Sequence, residues 1–169
     1  YAYVPRPNRV LVDLASWLEE IIAAHLPRCR EQGIDQHIQI SGNDCCAALV
    51  DSQLLTSAVH NVLENSLDAM EEGGELSVKL RRDRDHVIII VSDTGPGIDE
   101  KDLPYLWDPF YTTKADRVGM SLAITKRIIS EHDGLLDVES PPGGGTKVTI
   151  TIPVGEPPKE VKHRAPALK

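Results

Sequence analysis

From Asp51 to Met70 the sequence is patterned for one conformation in one setting. On a helical wheel of about 100° per residue, Val59, Val62, Leu63, Leu67 and Met70 share one side. Asn61, Glu64, Asn65 and Asp68, at i, i+3, i+4, i+7 spacing, fill an arc of about 100° on the other. Gly73 and Gly74 stop the helix. So continuous an apolar side needs a broad surface to cover, and the neighbouring segments read as strands. "ELSVKLRR" and "DHVIIIVSD" read as two strands joined by a charged turn at Asp83 to Asp85, and "HIQIS" at 37–41 alternates before the helix. "LLDVES" and "GTKVTITIP" flank the turn "PPGGG".

Two further helices fit the pattern. In "VLVDLASWLEEIIAAHL", Leu11, Leu14, Leu18, Ile21, Ile22 and His25 recur at near-helical spacing, with an end expected near Pro27. "GMSLAITKRIISEH", from Gly119 to His132, is helical again, with Gly134 as its expected stop. The order is helix, strand, helix, two strands, long loop, helix, two strands. This predicts an α/β fold: a two-layer sandwich of a mixed sheet of about five strands with three helices on one face. Residues 1–9 read as a connection from a preceding domain, 10–153 as the folded domain, and the Pro- and charge-rich 154–169 as linker or disordered tail.

Composition narrows the function classes. The 169 residues can bury an independent core, and with Phe, Trp and Tyr at only 4%, aliphatic side chains must build it. A formal charge of -8 argues against nucleic acid as the main partner, because neutralising a phosphate backbone needs clustered Lys and Arg. Cys29, Cys45 and Cys46 fit neither a disulfide framework nor zinc-ligand spacing, so reduced thiols in a cytoplasmic domain are expected. The longest apolar run, "VIIIV" at 87–91, is too short to cross a bilayer. A start at Tyr1 rather than Met suggests a piece of a longer protein, in which a membrane anchor elsewhere stays open.

Several segments carry candidate chemistry, each with a plainer alternative. The Asn61, Glu64, Asn65, Asp68 stripe is either a solvated face or a site. Two Asn one turn apart suit a site better than a helix selected for stability, and amide and carboxylate oxygens suit Mg²⁺. "DTGPGI", Asp93 to Ile98, follows a buried-looking strand: its two glycines allow backbone to approach a ligand, or simply end the strand. "DPFYTTK" offers Thr112, Thr113 and Lys114 within a loop from Thr94 to Val118 that is too long to be a mere connection. Gly119 opens a helix whose N-terminus can hold an anion, with Lys114 and Arg117 beside it. Gly143 to Gly145 can be a hairpin turn alone, leaving Thr146 to reach a pocket.

Taken in order, these motifs are Asn-x-x-Glu-Asn on a helix, Asp-x-Gly-x-Gly after a strand, Phe-Tyr-Thr-Thr-Lys in a loop, Gly before a helix, and Gly-Gly-Thr before a last strand. Together they resemble the ATP-binding domain of bacterial sensor histidine kinases, in the superfamily shared with DNA gyrase, MutL and heat-shock chaperone ATPases. The likeness runs from about residue 10 to 153. "NSLDAM" followed by "GG" is most similar to the nitrogen-regulation class.

The resemblance implies a Bergerat-type ATP-binding fold, with ATP and Mg²⁺ as ligands. By it, Asn65 is the metal ligand and Glu64 the catalytic base. The nucleotide-binding set is Asn61, Asn65, Asp68, Asp93, Gly95, Gly97, Ile98, Phe110, Thr112, Thr113, Lys114, Arg117, Gly119, Met120, Ser121, Leu122 and Thr146. In it Asn61 supports the phosphates, Asp93 accepts the adenine amino group, Thr146 lies nearby through water, and residues 99–118 form a lid. The implied reaction is transfer of the ATP γ-phosphoryl group to a histidine of a separate dimerisation domain. Further partners would be a response regulator and a second copy of the full protein, the domain alone being monomeric.

Two departures from the family pattern stand out. "ADRVGMSL" keeps only Gly119 of the usual glycine run, with Asp116 and Arg117 ahead of it and Ser121 in place of a glycine. Asp68 replaces a basic residue found in some classes, which leaves Lys114 and Arg117 more of the charge neutralisation. None of His25, His37, His60, His86, His132 or His163 has the setting of a phosphoacceptor: His25 reads as a packed helix residue and the others as surface positions. An anti-sigma-type serine kinase of the same fold and a degenerate nucleotide-binding scaffold are the alternatives.

Overall fold

Two aspartates start the two long helices. Asp13 accepts the N–H of Ala15 and caps α1, Leu14–Gln32; Asp51 accepts the N–H groups of Gln53 and Leu54 and caps α2, Ser52–Ala69. Asp51 also takes the N–H of Asn8. Burial raises its pKa, but these backbone donors outweigh burial and hold the carboxyl below its usual range. The computed structural model describes residues 3–41, 46–112, 119–141 and 143–155.

Around these helices lie β1, Val10–Asp13; β2, Ile34–Ile40; β3, Ala47–Val50; β4, Gly74–Asp83; β5, His86–Asp93; β6, Leu135–Glu139; and β7, Thr146–Pro153, with α3, Ser121–Glu131, between β5 and β6. The main sheet has the order β2-β4-β5-β7-β6. It is mixed: β2 and β4 run parallel, joined by a crossover that contains α2, and the other pairs are antiparallel. The expected α/β arrangement of three helices and a five-stranded mixed sheet is what forms.

Alternation sets which face is covered. Leu76, Val78 and Leu80 of β4, Val87, Ile89 and Val91 of β5, and Val148, Ile150 and Ile152 of β7 are buried in one cluster with Leu14, Leu18, Leu55, Leu63, Leu67, Ile128 and Ile129 of the helices. Truncating one of these to Ala costs about 2–5 kcal/mol.

The structure departs from the sequence reading in four places. Pro27 lies inside α1, which continues to Gly33, a left-handed cap whose N–H reaches Arg30 O and Cys29 O. Proline costs the helix one hydrogen bond, but the turn beyond it buries Cys29 and places Arg28 and Gln32 against α2. A second, two-stranded sheet of β1 and β3 was not anticipated: the "VLV" expected to start the helix instead pairs with Ala47–Val50. His132, expected at the surface, is 1% exposed; its Nε2 accepts the Asp51 N–H at 3.0 Å while Nδ1 faces Ile128 O at 2.8 Å. The left-handed residue after α3 is Asp133, not Gly134. Gly134 is required because a Cβ there would stand 2.6 Å from Thr151 O.

Residues 3–9 are not loose: Val4 packs on the core, and Arg9 bonds Glu131 O and Asp133 at the end of α3. Among the described residues no helix is long and apolar enough to cross a membrane. The tail beyond residue 155 and Cys45 lie outside the described residues.

Candidate functional site

β5 ends in a buried carboxylate. Asp93 is 6% exposed, and its Oδ1 accepts the N–H of Gly95 at 3.0 Å and of Thr146, its partner on β7, at 3.3 Å. The chain then turns sharply. Thr94 Oγ1 takes the Glu75 N–H at 2.9 Å, and Gly97 has φ 78° with Ser140 Oγ 2.8 Å from where a Cβ would stand. Ser140 fastens this turn to the next: it accepts the Ile98 N–H at 2.6 Å and donates to Gly145 O at 2.8 Å. Gly145 sits so close to β5 that a Cβ would lie 1.9 Å from Asp93 O.

Beside Asp93 opens a cavity of about 860 Å³. Its walls are α2 with Val62, Asn65, Ser66, Asp68 and Ala69; the turn at residues 93–99; Asp102, Leu106, Tyr111 and Thr112; Gly119, Ser121 and Leu122 at the start of α3; and Val138, Thr146 and Val148 of the sheet. Pieces far apart in sequence are thus brought to one space. The N-terminal end of α3 meets it, where free N–H groups and the helix dipole favour an anion.

The loop expected to lack structure has some. A 3₁₀ turn spans Leu103–Tyr105, and the Tyr111 hydroxyl donates to Asp102 at 2.6 Å. That hydrogen bond is the main reason the Tyr111 pKa is pushed up to about 12. Lys126 of α3 lies 4.7 Å over the Trp107 ring.

The polar stripe of α2 is half-buried along its length, not solvated, and it divides between three neighbours. Asn65 and Asp68 line the cavity. Asn61 instead donates to Ser121 O and Thr125 Oγ1, both at 3.3 Å, tying α2 to the start of α3. Glu64 turns to α1, where Arg28 reaches it at 2.5 Å and Asp68 at 2.6 Å. The hydrogen bond to Asp68, opposed by burial and aided by the charge of Glu64, raises the Arg28 pKa. Arg28 thus neutralises the two carboxylates of the stripe.

Of the other expected residues, Gly95, Gly97, Ile98, Thr112, Gly119, Ser121, Leu122 and Thr146 line the cavity with Asp93. Phe110 does not: it is 68% exposed at φ 71°, and its N–H donates to Gly119 O. Met120 occupies the N-cap of α3, outside the cavity wall. Thr113, Lys114 and Arg117 lie outside the described residues. Arg28, Thr94, Ser140 and the Asp102–Tyr111 pair were not singled out from sequence.

Residues 50–156 match the family described as Histidine kinase-, DNA gyrase B-, and HSP90-like ATPase. The sensor histidine kinase TmoS of Ectopseudomonas mendocina is 33% identical over 161 residues, covering 90% of this chain and 16% of TmoS. The chain spans less than a third of the length of the curated relatives it matches. Among solved structures, the catalytic domain of histidine kinase ThkA superposes with a TM-score of 0.79 at 24% identity, over 87% of this chain and 96% of that one. Full-length ShkA in complex with AMPPNP gives 0.75 at 25% identity, over 90% and 32%.

Proposed function

Since the chain belongs to the family of histidine kinase-, DNA gyrase B- and HSP90-like ATPases, we infer that it is the ATP-binding catalytic domain of a cytoplasmic portion of a sensor histidine kinase. In this reading it transfers the ATP γ-phosphoryl group to a histidine of a dimerisation domain in the same protein, which then serves a response regulator. The full protein would be a homodimer and this domain alone a monomer. The observation that carries the reading is the meeting, at one cavity, of a buried acceptor, Asp93, with oxygen donors on α2 and a helix N-terminus on α3. The AMPPNP complex of ShkA supports a nucleotide as the ligand.

Each part then has a task. Asp93 accepts the adenine amino group, and Gly95 and Gly97 let backbone close on the base. Gly119, Ser121 and the start of α3 face the phosphates, which Lys114 and Arg117 help to neutralise. Asn61 acts by holding the α3 start in place. The Asn65 amide oxygen, on the cavity wall, is a hard donor that fits Mg²⁺, with Asp68 on the same wall held by Arg28. When bound, Mg²⁺ supplies charge neutralisation for the polyphosphate. Glu64 is the base, acting from the α1 side of α2 and not from the cavity wall: it orients an imidazole docked against that side and balances the proton on its far nitrogen as charge develops. Arg28 positions that carboxylate.

Help of this kind counts in the transition state and not in ground-state affinity. Glu64→Gln should keep ATP affinity within a few-fold and slow phosphorylation of a supplied acceptor domain by roughly 10²-fold or more. A wild-type rate for Glu64→Gln under single-turnover conditions would remove Glu64 from the chemistry.

A further inference from the structure

On the side of α2 turned from the cavity, two imidazoles and a carboxylate converge. His25 of α1 is 8% exposed, and its Nδ1 lies 2.8 Å from Ile21 O. A carbonyl only accepts, so Nδ1 carries the proton and Nε2 keeps its lone pair. That nitrogen stands 3.0 Å from His60 Nδ1 and 3.4 Å from Glu64 Oε1. Three Lewis-basic atoms thus converge: His60 Nδ1 either donates its proton to His25 Nε2 or, in its other tautomer, joins that nitrogen and Glu64 Oε1 as three donors able to hold one cation.

We propose that His25 Nε2, His60 Nδ1 and Glu64 Oε1 bind one late transition-metal dication, Zn²⁺ by ligand type, at the α1–α2 interface. All three donor atoms lie within 4.8 Å of one another. Ligand atoms of a tetrahedral zinc shell, at bond lengths near 2.0–2.1 Å, stand about 3.3 Å apart. The two distances above straddle that value. His60 and Glu64 are four residues apart on one helix, the spacing at which helical zinc motifs present two ligands on one face.

The surroundings complete the arrangement. Ile21 O fixes the His25 ring as an outer-shell acceptor, and Arg28 grips the other oxygen of Glu64, orienting the carboxylate. His60 is exposed and Glu64 partly so, which leaves a path for entry and a fourth position for water. Two imidazole nitrogens favour zinc over magnesium, so this site is chemically distinct from the Asn65 amide on the cavity wall. Zn²⁺ on Oε1 with Arg28 on Oε2 leaves Glu64 no free oxygen, so a loaded site and a base at Glu64 are alternative states, and metal binding is measured without nucleotide.

The test is calorimetric titration of Zn²⁺ into the intact chain, with Co²⁺ absorption as a second readout. One ion per chain is expected, with a tetrahedral Co²⁺ spectrum and a raised melting temperature. His60→Ala, at an exposed position, should weaken Zn²⁺ binding at least tenfold and abolish the thermal shift measured against its own metal-free form; His37→Ala should change neither. Unaltered affinity in His60→Ala would place the metal elsewhere and overturn the proposal. Absence of binding to the wild type would overturn it too, and would leave the cluster as a His60-to-His25 hydrogen bond beside Glu64.

Discussion

Arg28 joins the two helices through charge, and removing it tests how much that junction contributes. Arg28→Met keeps the apolar stem but leaves Glu64 and Asp68 without their shared cation. Loss of one partner from a fully buried pair costs about 3–5 kcal/mol, whereas an exposed pair contributes about 0–1. Here the guanidinium side chain is 34% exposed, Glu64 26% and Asp68 12%. The expected loss lies between the two limits, at about 2 kcal/mol. Two carboxylates left one turn apart on α2 add a few tenths. For a chain of this size about 1 kcal/mol shifts Tm by roughly 2–4 °C, so thermal unfolding should begin about 4–8 °C lower. The decisive assay is a double-mutant cycle with Asp68→Asn, for which a coupling of at least about 1 kcal/mol is expected. Additivity within about 0.5 kcal/mol, the behaviour of independent sites, would refute the junction.

Two other perturbations follow from local geometry. Gly145→Ala should cost at least about 3 kcal/mol, through a left-handed backbone and a Cβ driven into Asp93 O, whereas Gly143→Ala, with φ 68° and nothing near its Cβ, should cost only about 1; equal losses in denaturant unfolding would contradict this. Tyr111 keeps its proton to about pH 12 against a usual value of 10.0. The folded state thus binds more protons between those values, and the stabilisation is complete below pH 10 and lost as pH rises through 12. Phenolate absorbance should show one late-titrating tyrosine that Tyr111→Phe removes; tyrosines titrating together near 10 would exclude the bond to Asp102.

Much of this architecture is legible in patterning: burial on one side imposes the alternation of "TKVTITIP" and the 3.6-residue stripe of α2, and the continuous apolar run "VIIIV" marks the central strand, buried at Val87, Ile88 and Ile89 in succession. What was missed has a physical reason in each case. Proline usually ends a helix, so α1 was closed at Pro27, and that error hid Arg28 and Gln32, which lie on the turn beyond it. β1 and β3 have four residues each, too few for a period, and Val10–Val12 sits directly against a helical pattern. For the site, residues that act through backbone freedom or at an element end, such as Gly97 and Asp93, were visible as motifs. Ser140 was not, since its role depends on Ile98 and Gly145 meeting it in space. The stripe on α2 was correctly separated from the apolar face, but a single helical wheel cannot tell that Asn61, Glu64 and Asn65 face α3, α1 and the cavity respectively.

The central claim is that this cavity holds adenine nucleotide with Asp93 reading the base, and calorimetry of Mg-ATP against wild type and Asp93→Asn tests it most directly. Two N–H donors claim Oδ1, so an amide at this position keeps its oxygen there and turns its NH₂ toward where Oδ2 stands. An adenine amino group would then meet a donor where it needs an acceptor, a mispairing that costs about 1–3 kcal/mol or more when buried. The account predicts one ATP per wild-type chain and at least a tenfold loss in Asp93→Asn with the fold retained. Equal ATP affinity in the two proteins, or no binding to the wild type, would contradict it.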